Sequence, residues 1–302
     1  MINTGSYHTS VLLHECIEHL DIKENGIYLD ATFGGGGHSR EILKHLGPDG
    51  RLIVFDQDAD AKQNLPDDSR VLFVQENFRY AARFVRLHRL PRLDGVLADL
   101  GVSSFQFDTA ERGFSTRFDA MLDMRMDKRQ RKTALDVLNT YSEQQLKLIF
   151  EEYGEVTNAK IVAKQLIERR NSVKLNTINE LKQALQGVIY GNPNKYLAQV
   201  FQALRIEVND ELNALKNFLQ EITVAMSPKA RLCIITFHSL EDRLVKQWMK
   251  TGRFEENPID FFTPGDSNLL QLVHKKPILP SDEEIKQNPR SRSAKLRVAI
   301  KK

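Results

Sequence analysis

The chain has 302 residues, 41% of them hydrophobic, with 43 basic against 40 acidic side chains and a net charge of +3. That length and apolar content build one substantial core with room for a smaller inserted domain, and exclude a chain disordered throughout. The near-balanced charge does not by itself demand a polyanionic partner. No apolar signal core follows Met1 and no window reaches the roughly 20 apolar residues of a membrane span, so a soluble, cytoplasmic protein with no membrane partner is expected.

Residues 8–20 place Leu12, Leu13, Cys16, Ile17 and Leu20 on one helical face, which predicts an N-terminal helix packed beside the first strand. Cys16 and Cys233 lack the spacing of a zinc site or redox pair; reduced core thiols and no bound metal are expected. Ile27 to Ala31 is a short apolar run carrying the acid Asp30, too short for a helix, and predicts a buried strand. Four consecutive glycines, Gly34 to Gly37, then turn the chain sharply into a helix that His38 or Ser39 can cap. Such a turn leaves bare N–H groups facing a ligand.

Gly50 to Asp56 repeats the pattern of an apolar run ending in an acid. Asp56 stands about 20 residues beyond the glycines, where a ribose-binding carboxylate belongs. A dinucleotide fingerprint wants its third glycine where this chain has Ser39, and Asp30 sits badly beside a pyrophosphate but comfortably near a cationic cofactor. S-adenosylmethionine therefore fits better than NAD.

Arg70 to Phe78 predicts a third strand, with Phe78 just past it and facing a bound base. Arg79, Arg83, Arg86, His88, Arg89 and Arg92 follow on a helix whose Tyr80, Phe84 and Leu87 are expected inward. Leu93 to Ser104 holds a fourth strand with Asp99 at its C-terminal end, where open α/β sheets keep their reacting groups.

From Phe105 the alternating rhythm stops. Helical segments are predicted at about 134–139, 142–152, 156–171, 177–189 and 195–220, too long a stretch for a crossover connection. The domain expectation is therefore 1–107 with 218–302 for the nucleoside-binding part and 108–217 for an inserted all-helical domain. The sheet resumes at Ala230 to Ser239, followed by a helix through Trp248, a loop with Pro258, Pro264 and Gly265, and two late strands, 269–275 and 294–300. Those last two suggest an antiparallel hairpin at one edge of a doubly wound, Rossmann-like α/β sheet.

Seven ordered blocks resemble the signature motifs of a known family, the MraW-type bacterial small-subunit ribosomal RNA cytosine-N4 methyltransferases. They are Leu29–Ser39, Asp99–Ser104, Glu111–Ser115, Leu122–Met126, Phe201–Ile206, Phe237–Arg243 and Asn288–Ser293. The resemblance runs nearly end to end. Phe105 and Phe107 depart from it, standing where that family often has proline and leucine. It implies an S-adenosylmethionine-dependent methyltransferase acting on a cytosine in the decoding region of 16S rRNA. It also implies cofactor contacts at Gly36, Gly37, His38, Asp56, Phe78, Asp99 and Gln106.

Methyl transfer to an exocyclic amine is an in-line displacement, so alignment is the main task. An acid at the end of the fourth strand can accept the N4 hydrogens, which makes Asp99 the catalytic candidate, with cofactor binding as its competing role. Phe105 or Phe107 for stacking and His238 for the target base are weaker candidates. The basic runs 79–92, 125–132 and 290–302 suit the phosphates of a 16S ribosomal RNA partner, expected within a small-subunit particle. Methylation of DNA or a small molecule, a non-catalytic RNA-binding assembly factor, and an NAD-dependent oxidoreductase are the rival readings. Oligomeric state is not legible.

Overall fold

The computed structural model describes residues 10–254 and 268–302. The start of the expected first helix, at His8 and Thr9, and the loop containing Pro258, Pro264 and Gly265 lie outside the described residues. The chain divides into two compact units, Met1–Gly101 with Asn213–Lys302, and Val102–Leu212.

The first stretch runs α1 (Leu13–Leu20), β1 (Ile27–Asp30), α2 (Gly37–His45), β2 (Arg51–Phe55), β3 (Val71–Val74), α3 (Ala81–Leu87) and β4 (Leu93–Asp99). The second unit holds α4 (Ser104–Asp108), α5 (Ala134–Thr140), α6 (Glu143–Glu152), α7 (Ala159–Ser172), α8 (Ile178–Ala184) and α9 (Pro193–Asn209). The chain then continues through α10 (Glu211–Ala225), β5 (Met226–Thr236), α11 (Ser239–Thr251), β6 (Leu270–Leu272), α12 (Asp282–Gln287) and β7 (Lys295–Lys301). Among the described residues no helix is long and apolar enough to cross a membrane.

In the first unit seven strands form one sheet in the order β3-β2-β1-β4-β5-β7-β6. The first five are parallel, while β7 runs antiparallel to β5 and β6 antiparallel to β7. Period-2 alternation sends each strand's side chains to both faces. Leu29, Ile53, Val96, Ala98, Leu232 and Ile234 pack with α3, α10 and α11, while Tyr28, Leu52, Val54, Leu97, Cys233 and Ile235 pack with α1 and α2. Both faces are therefore covered, as parallel strands require, and the fold is α/β and Rossmann-like, with the antiparallel edge the sequence predicts. Cys16 and Cys233 are buried free thiols on the second of these faces. Burial pushes both thiols up, Cys233 to about 12.

Several boundaries differ from the expectations. The first helix starts only at Leu13 because Leu12 takes a left-handed conformation (φ 51°), its N–H donated to Glu284 Oε1 at 2.9 Å. β5 begins four residues before Ala230. On α3 the buried face is Ala81, Ala82 and Val85, with Phe84 packed edge-on against Phe55 at 5.6 Å as expected, whereas Tyr80 and Leu87 are exposed (45% and 75%), contrary to their predicted inward orientation.

The second unit has its own core, centred on Leu138, Leu146, Phe150, Val162, Leu166, Leu181, Val200 and Leu204. The helix predicted across 195–220 is two helices, because Asp210 turns left-handed (φ 51°) at the C-cap of α9. Asn209 explains why the break is held. Its Oδ1 accepts from Met126 N at 2.7 Å, and its Nδ2 donates to Met124 O at 2.8 Å and Arg205 O at 2.9 Å. The Arg205 guanidinium pairs Glu211 across the turn at 2.8 and 2.9 Å. Replacing buried Asn209 with alanine removes the side-chain partner of the buried Met126 N–H and Met124 carbonyl, and urea unfolding should show a loss of about 2 kcal/mol.

The motif Glu111–Ser115 also proves architectural. Arg112 is buried and donates from Nη2 to the carbonyls of Arg125 (2.9 Å) and Met126 (3.1 Å).

Candidate active site at the carboxyl ends of the central strands

The sheet order reverses between β1 and β4, and in open parallel sheets the crevice beyond the strand ends at that point is where ligands bind. Asp30, Asp56 and Asp99 stand at or just past the carboxyl ends of β1, β2 and β4, and His238 just past β5.

Between β1 and α2 the glycine turn is built around Gly36, the N-cap of α2. Its φ of +73° and the Phe33 ring, 2.8 Å from where a Cβ would lie, exclude a side chain. Gly37 opens the helix, and Ser39 lies buried in its first turn. A Cβ at Gly35 would meet no protein atom within 4 Å, so the turn leaves room against its backbone. Gly34 N–H donates to Asp56 Oδ2 at 2.8 Å and Asp58 N–H to Asp56 Oδ1 at 2.8 Å. Each carboxylate oxygen keeps a further lone pair for a hydroxyl. Burial, partly offset by these two N–H donors, pushes Asp56 up to about 6.

Asp30, expected near a cationic cofactor, has both oxygens engaged within the protein. It is buried, with Oδ2 accepting from Ser39 Oγ at 2.6 Å and Oδ1 from Thr32 N at 3.1 Å. Burial raises its pKa above the usual carboxylate range. His38 donates from Nε2 to Val11 O at 3.0 Å, which leaves Nδ1 as a lone pair 3.9 Å from Asp99 Oδ2. Burial depresses the imidazole pKa, so His38 is neutral at pH 7.

Asp99 has a buried Oδ1 with no hydrogen-bond partner. Burial, and then the negative charges of Asp30, Glu241 and Glu284, hold its pKa well above the usual carboxylate range. A buried, unpartnered carboxyl oxygen at a strand end is the kind of polar orphan that a ligand satisfies. His238, at the N-cap of α11, puts Nε2 3.1 Å from Glu241 Oε1, while Glu241 Oε2 accepts from Phe237 N at 3.0 Å. Glu241 was missed in the sequence; an acid three residues after a helix-capping position was the available signal.

Of the residues expected to hold the cofactor, Gly36, Gly37, His38, Asp56, Phe78 and Asp99 all belong to the first unit, and Gln106 belongs to the second. Phe78 lies in a 3-10 turn after β3, half-buried, with its ring edge-on to Phe218 at 5.2 Å. Gln106 is buried in α4, where it forms a reciprocal capping box with Ser103: Ser103 N–H donates to Oε1 and Gln106 N–H to Ser103 Oγ, both at 3.2 Å. Phe105 is exposed (52%), while Phe107 lies under the Arg117 guanidinium, 5.1 Å from its ring centroid.

In two of the three basic runs several cations pair with acids within the fold. Arg125 pairs Asp123 at 2.8 Å, Arg129 pairs Asp127 at 3.0 Å and Lys132 pairs Glu207 at 2.8 Å. Near the C-terminus Arg297 is buried against Asp242 and Lys301 is also buried. On α3 and the turn after it, Arg83, Arg89 and Arg92 stand exposed.

Residues 5–302 match the MraW methylase family. The chain belongs to that family. Ribosomal RNA small subunit methyltransferase H of Flavobacterium johnsoniae is 50% identical over 303 residues, covering 100% of both chains. The protein of the same name from Bacteroides fragilis is 50% identical over 299 residues, covering 98% of each. Among solved structures, an rRNA methylase from Streptococcus thermophilus aligns over 97% of each chain with a TM-score of 0.41 and 9% identity. Membership in the MraW methylase family accounts for the end-to-end run of seven motifs, of which Glu111–Ser115 and Leu122–Met126 serve the fold of the second unit.

Proposed function

We propose that this methylase transfers a methyl group from S-adenosylmethionine to the exocyclic N4 amine of a cytosine in the decoding region of 16S ribosomal RNA. The observation that carries the reading is the unpartnered, buried Asp99 Oδ1 at the end of β4, beside a glycine turn with free space against Gly35. The residues present fit the cofactor: the turn from Gly34 to Gly37 would accommodate its backbone-hugging part, Asp56 would accept from the ribose hydroxyls, and Phe78 would border the base. When bound, S-adenosylmethionine supplies an electrophilic methyl on a sulfonium.

The N4 lone pair of cytosine is delocalised into the ring and is a weak nucleophile. Asp99 answers this by accepting an N4–H, which favours the rehybridised amine and aligns it for displacement. The burial that raises the Asp99 pKa also makes its carboxylate a better proton acceptor once the amine has been alkylated. Neutral His38 keeps positive charge away from that proton's destination. The exposed arginines of the α3 region hold phosphates and orient an unstacked target without reading its sequence.

Asp56 yields a prediction independent of catalysis. Its carboxylate must be ionised to accept two hydroxyls, and its proton is held to about pH 6. As pH falls through that value the proton competes with the ribose, so calorimetric affinity for S-adenosylmethionine should drop about tenfold between pH 7 and pH 5. Asp56→Asn should bind weakly at both values and lose most of that dependence.

The deciding experiment supplies labelled S-adenosylmethionine with naked 16S rRNA, small ribosomal subunits or duplex DNA, followed by digestion and nucleoside identification. N4-methylcytidine in RNA is the expected product. Label in DNA, or none in any of the three despite cofactor binding, would overturn the reading.

A further inference from the structure

Thr32 lies in the turn between β1 and α2, and only its N–H, donated to Asp30, has been given a part so far. Its Oγ1 accepts the backbone N–H of Asp99 at 2.6 Å. Its own N–H is anchored on Asp30 Oδ1 at 3.1 Å, and the second oxygen of Asp30 is taken by Ser39 Oγ at 2.6 Å. Asp30 is only 1% exposed and Ser39 is fully buried, so the Ser39–Asp30 end of this chain of bonds is shielded from water, while Thr32 is half-buried.

The bond lies where ordinary sheet pairing runs out. The β1–β4 register ends at Asp30 opposite Leu97, and the last ladder link is Ala31 N–H to Leu97 O at 2.8 Å. Asp99 lies two residues past that pairing, so on the β1 side its main chain has no strand partner and the Thr32 hydroxyl takes over as acceptor. On the other side β5 still pairs Asp99, opposite Ile235. The Thr32 bond is therefore the β1-side constraint on the residue whose side chain carries the free oxygen.

We infer that Thr32 is a positioning residue: with Asp30 and Ser39 it forms a relay that ties the glycine turn, which receives the donor, to Asp99, which receives the acceptor amine. The inference rests on the reading of Asp99 given above. A single hydroxyl thus couples the two halves of the site, and a shift of one relative to the other is what in-line displacement tolerates least, since misplacement by about 1 Å can lower a rate by roughly 100-fold.

Thr32→Val keeps the side-chain shape and removes the acceptor; Thr32→Ser keeps the acceptor and removes a methyl. Both are measured beside the parent protein for kcat, for KM toward the RNA substrate and for calorimetric affinity toward S-adenosylmethionine. The relay predicts that Thr32→Val lowers kcat by about 10- to 100-fold with KM and cofactor affinity within about threefold of the parent, and that Thr32→Ser recovers kcat to within about threefold. A Thr32→Val variant with parental kcat would overturn the inference, as would equal loss in both variants, including loss through failure to fold. A parent protein that transfers no methyl group would instead fail the functional reading on which the inference stands.

Discussion

Asparagine in place of Asp99 should lower kcat by about two to three orders of magnitude while leaving affinity for S-adenosylmethionine within about threefold. The argument starts from Oδ1, which is buried and has no partner in the protein. Asparagine preserves the volume but replaces one hydrogen-bond-accepting oxygen with an NH₂ group and cannot take a proton. If Asp99 serves the acceptor amine, the loss falls on the chemical step; a loss confined to cofactor affinity would show that it serves the cofactor instead.

The pH dependence gives a second, separate readout. Burial raises the folded-state pKa of Asp99 well above its unfolded value. Such a group stabilises the fold most below the unfolded value, and that contribution is lost as pH rises through the folded one. Asp99→Asn should therefore raise the melting temperature at neutral pH and lose that advantage near pH 4, while the parent's activity rises across the same interval. A variant that gains stability as it loses activity is the expected signature of a carboxylate kept in place for chemistry.

The largest loss of stability in the first unit is expected from Asp242→Ala. Arg297 on β7 is buried and donates to both oxygens of Asp242 on α11, Nε at 2.6 Å and Nη2 at 3.1 Å, with Lys295 Nζ 3.5 Å away. These contacts hold the Asp242 carboxyl below the usual carboxylate range against the opposing effect of burial. Removing the acid leaves a guanidinium, 5% exposed, with its main counter-charge gone, and should cost about 3–5 kcal/mol in denaturant unfolding. Because the folded pKa is depressed, this contribution is present above the unfolded value and disappears as pH falls through the folded one. The parent and variant curves should therefore converge in acid. Replacing both partners, Asp242→Leu with Arg297→Met, should cost far less than the single change, since no charge is then left buried and unpaired.

Much of the site was legible because its chemistry is written in short range. A run of apolar residues ending in an acid, four glycines, and a second acid about 20 residues on are local patterns, and the backbone geometry they demand follows from sterics alone. The positions of Asp56 and Asp99 at strand ends are of this kind. So is the alternation that buries both faces of the sheet.

What was not legible depends on partners remote in the chain. Arg297, in the basic run near the C-terminus, looks available to a phosphate until Asp242, 55 residues away, is brought beside it. Likewise the break after α9 is held by Asn209 reaching 83 residues back to Met126. On α3 Phe84 packs inward as its periodicity predicts, but Tyr80 and Leu87 do not, because periodicity shows that a stripe exists whereas the surroundings brought by folding decide which residues at its edges are covered.

Asp30 makes the same point within the site. By sequence alone it is an acid beside a glycine turn, as available to a cation as Asp56. Only folding turns both of its oxygens to Thr32 and Ser39 and leaves Asp99 with the free one. Residue types and their spacing along the chain determined which groups reach the strand ends and what reaction class they suit. Tertiary structure decided which of those groups are satisfied internally and which remain for a ligand, because a buried polar atom is paid for by whichever partner packing brings within about 3 Å.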